Sequence, residues 1–250
     1  MMKIPMKKSP RHAVIAMLLA AAFFCAAPVQ AALVQVCGQT VCYEYDNDPL
    51  VNDGLLLFGA PRLLGNSDVL SFTPSVFFAM AYGAGGQDER SASFHFSRIW
   101  SPAGLEIGAI NISESGDYQL FNGGSVTAGL MLHSSDLVDD GHAPGVLESV
   151  TAVDGFSSST PTGLPFQNWS YTNSIDPAAS FADLATSDDL TIFNRLQATT
   201  DSPGHSAFIA RKLSLTAATT AAVPAPAGFW LLATGSLLLA GRIRHARRQA

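Results

Sequence analysis

The central part of this sequence has few basic residues, and this scarcity limits the partners that the protein can have. Between the two apolar ends lie all 20 acidic residues but only six of the 14 basic ones, so this region has a formal charge of −14. Such an acidic region repels phosphate backbones, which excludes nucleic acid as an expected partner. The acidity indicates solubility outside the cell or, alternatively, cation binding.

Cysteine is also scarce. Of the three cysteines, Cys25 lies in the first apolar segment, which leaves Cys37 and Cys42 for the rest of the chain. An even pair in an exported chain favours a structural disulfide, here across a short hairpin near Gly38. The C-x4-C spacing differs from the C-x-x-C of redox proteins, and two cysteines are too few for a structural zinc site.

Motifs for nucleotide binding and metalloprotease chemistry are absent. There is no Walker loop, no G-x-G-x-x-G and no H-E-x-x-H. The segment 204–207, Gly-His-Ser-Ala, is not a nucleophile elbow, because Phe208 replaces the second glycine. We therefore expect a non-enzymatic protein, with a secreted hydrolase using His133, Asp136 and His142 as an alternative.

No long stretch has helical periodicity, and the crossover helices of a parallel α/β fold are missing. The sequence instead alternates apolar and polar residues, which is typical of half-buried strands. With frequent turn residues between about ten short strands, this pattern predicts an all-β fold, an antiparallel, jelly-roll-like β-sandwich. The residues expected on the buried faces are Ala92, Phe94, Phe96 and Trp100; Val126, Ala128, Leu130 and Leu132; and Ile192, Leu196 and Ala198.

The predicted domain covers residues 32–215. Turns are expected at segments rich in glycine and asparagine, including 115–117 and 122–124. One short helical turn is expected at 181–185, and the small residues 216–222 are expected to form a linker to the C-terminal segment. The predicted strands are 41–45, 69–72, 76–82, 90–100, 105–113, 118–121, 125–133, 147–153, 169–173, 190–200 and 208–215.

Residues 1–31 have the pattern of a secretory signal peptide. A segment of twelve residues with four basic side chains precedes the apolar run 13–27, and Pro28 and the small residue Ala31 follow it. We expect signal peptidase to cut between Ala31 and Ala32 after export by the secretion machinery. A permanent anchor helix is the alternative, but the run is short for a membrane span and ends at a proline.

Two acidic loops are candidate metal sites. Asp46, Asp48 and Asp53 form a possible calcium site, although the glutamate that closes an EF-hand loop is absent. A second cluster resembles no metal motif and has the alternative interpretation of a polar loop. This second cluster consists of His133, Asp136, Asp139, Asp140 and His142.

Aromatic residues in the middle of the chain are either a sugar-stacking platform or part of the core. His95 is expected on the polar, exposed face of its strand. No other cofactor is expected. The aromatic residues concerned are Phe94, Phe96, Trp100, Trp169 and Tyr171.

Residues 223–250 have three parts. Two prolines, Pro224 and Pro226, precede an uncharged apolar segment, 227–241, and a basic end, 242–248, follows it. As a helix from Val223, the segment would be roughly 28 Å long, close to the ~30 Å of a bilayer core. The basic end would stay in the cytoplasm by the positive-inside rule. An ordinary single-span anchor is the alternative. The basic residues are Arg242, Arg244, Arg247 and Arg248.

This C-terminal segment resembles the PEP-CTERM sorting signal. The likeness rests on Val223-Pro224-Ala225-Pro226, the Trp230-Leu231-Leu232 run, Gly235 and the terminal arginines. It departs from the family at Ala225, where a glutamate gives the motif its name. The resemblance implies recognition by an exosortase, a membrane-embedded transpeptidase, in bacteria that make extracellular polysaccharide.

Together these features predict an exported protein. It would be held briefly in the inner membrane, cut near the prolines, and passed to the outer surface or to an exopolysaccharide or biofilm matrix. A calcium-dependent carbohydrate-binding module is the main alternative for the domain itself.

Overall fold

The computed structural model describes residues 32–222 except 75, 139–147, 164 and 183, and for 212–222 it describes the backbone alone. The predicted signal peptide and the C-terminal sorting signal therefore lie outside the described residues. So do Asp139, Asp140 and His142. In the part of the chain that is described, no helix is long and apolar enough to cross a membrane.

The described residues form two antiparallel sheets, which confirms the prediction of an all-β, sandwich-like fold. Sheet A has the strand order β1-β2-β6-β11-β8-β9, and sheet B has the order β10-β7-β12-β4-β3, with β5 also pairing with β12. The strands are β1 Leu33–Cys37, β2 Cys42–Asp46, β3 Arg62–Leu63, β4 Val69–Ser71, β5 Phe78–Tyr82, β6 Gln87–Trp100, β7 Glu106–Phe121, β8 Ser125–Asp136, β9 Ser149–Ser158, β10 Gln167–Ile175, β11 Ser187–Thr199 and β12 Ser206–Ala222.

Two short helices connect strands, α1 at Gly54–Phe58 and α2 at Pro177–Ser180. The prediction of a helical turn at 181–185 is wrong in its position, because the helix α2 comes earlier, at Pro177–Ser180. Asp176 caps α2 by accepting a hydrogen bond from the Ala179 amide, and Pro177 occupies the first turn. Phe181 already has an extended backbone, so the helix ends there.

The alternation of apolar residues predicts the buried faces of β6, β8 and β11 correctly, with one exception. Phe94 and Phe96 are fully buried, whereas Ile99 takes the core position that was expected for Trp100. The pairing of β6 with β11 shifts between Phe96 and Ile99, and an irregularity of this kind reverses the faces beyond it. Trp100 is only half-buried, and the Arg98 guanidinium lies 4.7 Å from its ring centroid.

The turn expected at 115–117 is also wrong, because these residues lie inside the continuous strand β7. Gly116 serves close packing instead. A Cβ atom at this position would lie 2.8 Å from the Trp169 ring and closer still to the Ala210 carbonyl oxygen on β12. By contrast, the turn expected at 122–124 joins β7 to β8, with Asn122 at φ 62°.

The linker expected at 216–222 is wrong, since these residues form the end of β12. Thr216 to Ala218 pair with β4, and the strand pairs with β7 as far as Ala222. A strand between two neighbours is held by its backbone N–H and C=O groups, so small side chains do not prevent pairing.

Candidate functional sites

The disulfide lies at the end of the first hairpin. Cys37 and Cys42 are register partners of β1 and β2 and are joined by a disulfide. Asp68 closes the turn between them, since its Oδ1 accepts hydrogen bonds from the amides of Thr40 and Val41. Burial acts to raise the pKa of Asp68, but these bonds and the Thr40 hydroxyl outweigh it and lower the pKa. The disulfide and the turn at Asp68 therefore have a structural role.

The three aspartates of the predicted calcium site each accept a backbone hydrogen bond, two from nearby residues of the same segment and one from β6. Asp46 Oδ1 accepts from the Asp48 amide at 2.8 Å, and Asp53 Oδ1 accepts from the Ser93 amide at 2.8 Å. Asp48 Oδ1 accepts from the Leu50 amide. Among the described residues, no group of three or more His, Cys, Asp or Glu side chains is placed to hold a metal. Calcium binding by this loop stays a prediction.

The histidines of sheet A lie on its outer face. His95 and His133 are both register partners of Thr191 on β11. His95 Nδ1 lies 3.1 Å from Thr191 Oγ1, and His133 Nδ1 lies 2.8 Å from Thr151 Oγ1. The exposed position of His95 is confirmed.

His133 and Asp136 do not form the pair that the hydrolase alternative requires. Asp136 is buried on the core side of β8, three residues from the outward-facing His133. Side chains at odd spacing on a strand point to opposite faces. The prediction that these two residues share a site is therefore wrong.

His205 lies in the loop before β12 and has a partner in the same loop. Its Nδ1 lies 2.8 Å from Asp201 Oδ1, in the loop before β12. Ser206 begins the strand, and no hydrogen bond joins its hydroxyl to the His205 ring among those described. Ser206 and His205 therefore do not form a pair of nucleophile and general base.

The aromatic platform considered above is mostly buried in the core. Phe94, Phe96 and Trp169 are buried and are therefore not available for stacking on a ligand. The exposed rings lie elsewhere, on the outer face of sheet B. Phe78 stacks on Phe208, and Phe166 makes an edge contact with Phe208. We define the aromatic face as Phe78, Met80, Tyr82, Phe121, Phe166 and Phe208.

A buried ion pair lies in the core between the sheets. Both side chains, Glu114 on β7 and Arg211 on β12, are fully inaccessible to solvent, and Arg211 Nη2 donates to Glu114 Oε2 at 2.5 Å. The Tyr171 hydroxyl donates to the same oxygen. The guanidinium also lies 4.9 Å from the Phe77 ring centroid and 5.7 Å from that of Trp169.

Burial raises the pKa of Glu114 above its ordinary value, although the Arg211 charge and the hydrogen bond from Tyr171 act in the opposite direction. Burial and the nearby Glu114 charge raise the pKa of Tyr171. Asn194 on β11 is fully buried beside this cluster, and its side chain also acts to lower the pKa of Glu114. The cluster is inaccessible to a substrate, so its role is structural.

A second buried acid, Asp188 on β11, has a different environment. Neither of its carboxylate oxygens has a hydrogen-bond partner among the described residues. Burial, together with the charges of Asp136 and Asp189, raises its pKa to about 8. Sequence reasoning missed this residue, although continuing the alternation of Ile192 and Leu190 back along β11 places it on the core face.

These features define the class as an all-β protein with two antiparallel sheets and a disulfide-closed hairpin. No protein-family model matches the chain, and no curated protein matches it. Among solved structures it is similar to the enzymatically active domain of tailspike protein 4 from bacteriophage CBA120, at 13% identity and a TM-score of 0.22. The similarity covers 74% of this chain and 19% of that one. A likeness with this TM-score carries no argument about function.

Proposed function

We propose that the chain is an exported, non-enzymatic protein of the cell surface or of an exopolysaccharide or biofilm matrix. The observation that carries the proposal is the order of three features after β12: the Pro224–Pro226 motif, the apolar segment 227–241 and the arginine-rich end. The Cys37–Cys42 disulfide supports it, because disulfides persist in oxidising compartments outside the cytoplasm. The proposal includes a jelly-roll-like arrangement of the domain, a signal peptide and a single membrane helix.

The proposed route has three steps. Signal peptidase cuts between Ala31 and Ala32, and the segment 227–241 then holds the chain in the inner membrane with the arginines in the cytoplasm. An exosortase cuts within 224–227 and releases or attaches the acidic β-domain outside. Like charges keep such a domain soluble there.

The test is the mass of the product in two matched strains. The full chain is expressed in a host that carries an exosortase and in the same host with that gene deleted. We expect a product from Ala32 to 224–227 outside the first strain and an uncut chain in the membrane of the second. An uncut tail in the strain that carries the enzyme would contradict the proposal.

A pair of proline variants controls for effects on folding. Replacing both Pro224 and Pro226 with alanine should prevent processing. Pro203→Ala changes a turn proline before β12 and should leave processing intact. Loss of processing in both variants would assign the effect to the fold and not to the motif.

A carbohydrate-binding domain is the second candidate, because the aromatic face is exposed. Tyr82 is 62% exposed and Phe166 is 50% exposed, and both lie on or beside the outer surface of sheet B. Exposed aromatic rings suit the apolar faces of sugars.

Affinity electrophoresis with neutral and acidic polysaccharides tests this second candidate. Tyr82→Ala combined with Phe166→Ala should weaken binding about tenfold, equivalent to ~1.4 kcal/mol. Phe193→Ala, on the outer face of sheet A, is the matched control and should bind as the wild type does. Equal retardation of all three proteins, or no retardation, would reject a role for the aromatic face.

A further inference from the structure

The rings of the aromatic face are not all in contact with one another. Phe208 stacks with Phe78 and makes an edge contact with Phe166. Tyr82 and Phe121 are 62% and 45% exposed, and neither ring contacts another aromatic ring among the described residues. These two rings therefore present apolar surface to the solvent.

The two exposed rings flank a single small residue. Ser206, the first residue of β12, has Tyr82 of β5 and Phe121 of β7 as its register partners. Their neighbours in the chain are core residues, so all three side chains lie on the outer face of sheet B. These neighbours are Ala81, Leu120 and Ala207. The short Ser206 side chain therefore forms the floor of a slot between the two rings, called the Ser206 slot below.

The Ser206 slot has the width that one sugar ring needs. Neighbouring strands lie about 4.8 Å apart, so the backbones at Tyr82 and Phe121, on either side of β12, are separated by about 10 Å. Ring contacts form at centroid distances of about 4.5–7 Å, so one ring stacked between two others needs about 9 Å or more. The two apolar faces of one pyranose ring can therefore contact both side chains at once.

Polar groups lie at the floor and at one end of the slot. The Ser206 hydroxyl is at the floor. His205 precedes it, and its carbonyl oxygen accepts a hydrogen bond from the Gly83 amide in the turn after β5. The His205 ring lies beside Gly123, in the turn after β7, where an added Cβ atom would be 2.6 Å from it. Asp201 holds this ring through the 2.8 Å contact of its Oδ1 with Nδ1. A hydroxyl group and an imidazole, which both bond to sugar hydroxyl groups, therefore border the slot.

The charge around the slot disfavours acidic sugars. Asp201 is exposed, and a second acid, Asp88, accepts a hydrogen bond from the Met80 amide of β5. The Arg90 guanidinium lies 3.7 Å from Asp88 and is paired with it. The central region of the chain has a formal charge of −14. Polysaccharides with carboxylate, sulfate or phosphate groups are therefore repelled, whereas uncharged sugars are not.

We propose that the Ser206 slot binds one sugar ring of a neutral polysaccharide, stacked between Tyr82 and Phe121. The Ser206 hydroxyl and the His205 imidazole bind hydroxyl groups at the edge of that ring. This inference rests on the second candidate function, the carbohydrate-binding domain, and adds to it the position of the sugar and its class.

A variant that fills the slot tests the position of the sugar. Ser206→Phe keeps both rings and adds a third between them, so binding should be lost while the fold is kept. Ser91→Phe is the matched control, because it makes the same change at an exposed position on the outer face of sheet A. Phe121→Ala removes one wall of the slot and should weaken binding about tenfold. It replaces Ser206→Phe in the test if that variant does not fold.

The measurement is affinity electrophoresis of the full chain, in a detergent without sugar groups, through gels that contain dextran, laminarin or galactomannan. Alginate, which carries carboxylates, is the acidic comparison, and thermal unfolding shows that each variant is folded. We expect at least one neutral polysaccharide to retard the wild type and Ser91→Phe, and none to retard Ser206→Phe. The retardation should persist in about 0.5 M NaCl, because the contact involves no charged sugar groups.

Three results would overturn the proposal. Equal retardation of the wild type and a folded Ser206→Phe would exclude the slot, and the second candidate function would stand if Tyr82→Ala combined with Phe166→Ala still weakened binding. Retardation of the wild type by alginate alone would contradict the neutral class of the sugar. No retardation in any gel would reject both the slot and the carbohydrate-binding domain.

Discussion

Glu114 and Asp188 are both acids buried between the same two sheets, but they are neutralised in different ways. Glu114 has Arg211 and Tyr171 as partners within the fold. Asp188 has another acid, Asp136, as its cross-strand partner, and no hydrogen bond to either oxygen among the described residues. A charge within the fold neutralises Glu114, whereas a proton keeps Asp188 neutral, because burial raises its pKa to about 8.

This difference separates two sources of stability. The Glu114 cluster should be insensitive to pH and ions near neutrality, because its partners are fixed by β10 and β12. Asp188 should respond to pH, because its proton exchanges with the solvent. Mutations at the first site should therefore have large effects under all conditions, and mutations at the second should have effects that depend on the solution.

The largest effect is expected for Arg211→Met. This change leaves Glu114 buried without its cation and should lower the free energy of unfolding by about 3–5 kcal/mol, measured with urea. Arg195→Met, which removes the exposed ion pair with Glu89, is the control and should cost at most about 1 kcal/mol. Similar losses for the two arginine variants would show that burial does not distinguish these pairs.

The pH dependence of stability tests the other acid. The pKa of Asp188 is about 8 in the folded chain against an ordinary value of 3.8, so between these limits the folded state keeps a proton that the unfolded state releases. The stability contribution of Asp188 should therefore be complete below about pH 4 and fall towards pH 8, by at most ~1.4 kcal/mol per pH unit.

Asp188→Asn should remove this decrease and leave the variant more stable than the wild type at pH 8, because the buried charge is gone. Urea unfolding at a series of pH values is the measurement. An identical decrease in the variant would assign the pH dependence to other groups.

A smaller effect is expected beneath the Glu114 cluster. Gly116→Ala places a methyl group against the Trp169 ring and the Ala210 carbonyl, which should cost about 1–3 kcal/mol. Gly129→Ala is the matched control in β8, where an added Cβ meets nothing within 4 Å. Equal stability of the two alanine variants would contradict the close packing described for Gly116.

Much of this architecture was accessible from the sequence. The alternation around Phe94, Leu130 and Ile192 predicts the core faces, and the same alternation extends without change to Asn194 and Asp188. What it does not contain is the strand order, because the pairing of β8 with β11 depends on contacts between distant segments. For this reason the meeting of Asp136 with Asp188 was not predicted.

Local deviations were missed for a related reason. The irregularity between Phe96 and Ile99 reverses the faces at Trp100, and the need for a glycine at position 116 arises from Trp169 on another strand. A glycine between polar residues is typical of a turn, so the sequence alone favoured the wrong structure there. Both features are consequences of the neighbouring strands.

The contrast between the two acids is tested most directly by the unfolding free energy of the wild type at pH 5 and at pH 8.5. We predict high stability at pH 5 and a clear loss at pH 8.5, with this loss absent in Asp188→Asn. Equal stability of the wild type at the two pH values would contradict the account, since the fold would then not raise the pKa of Asp188.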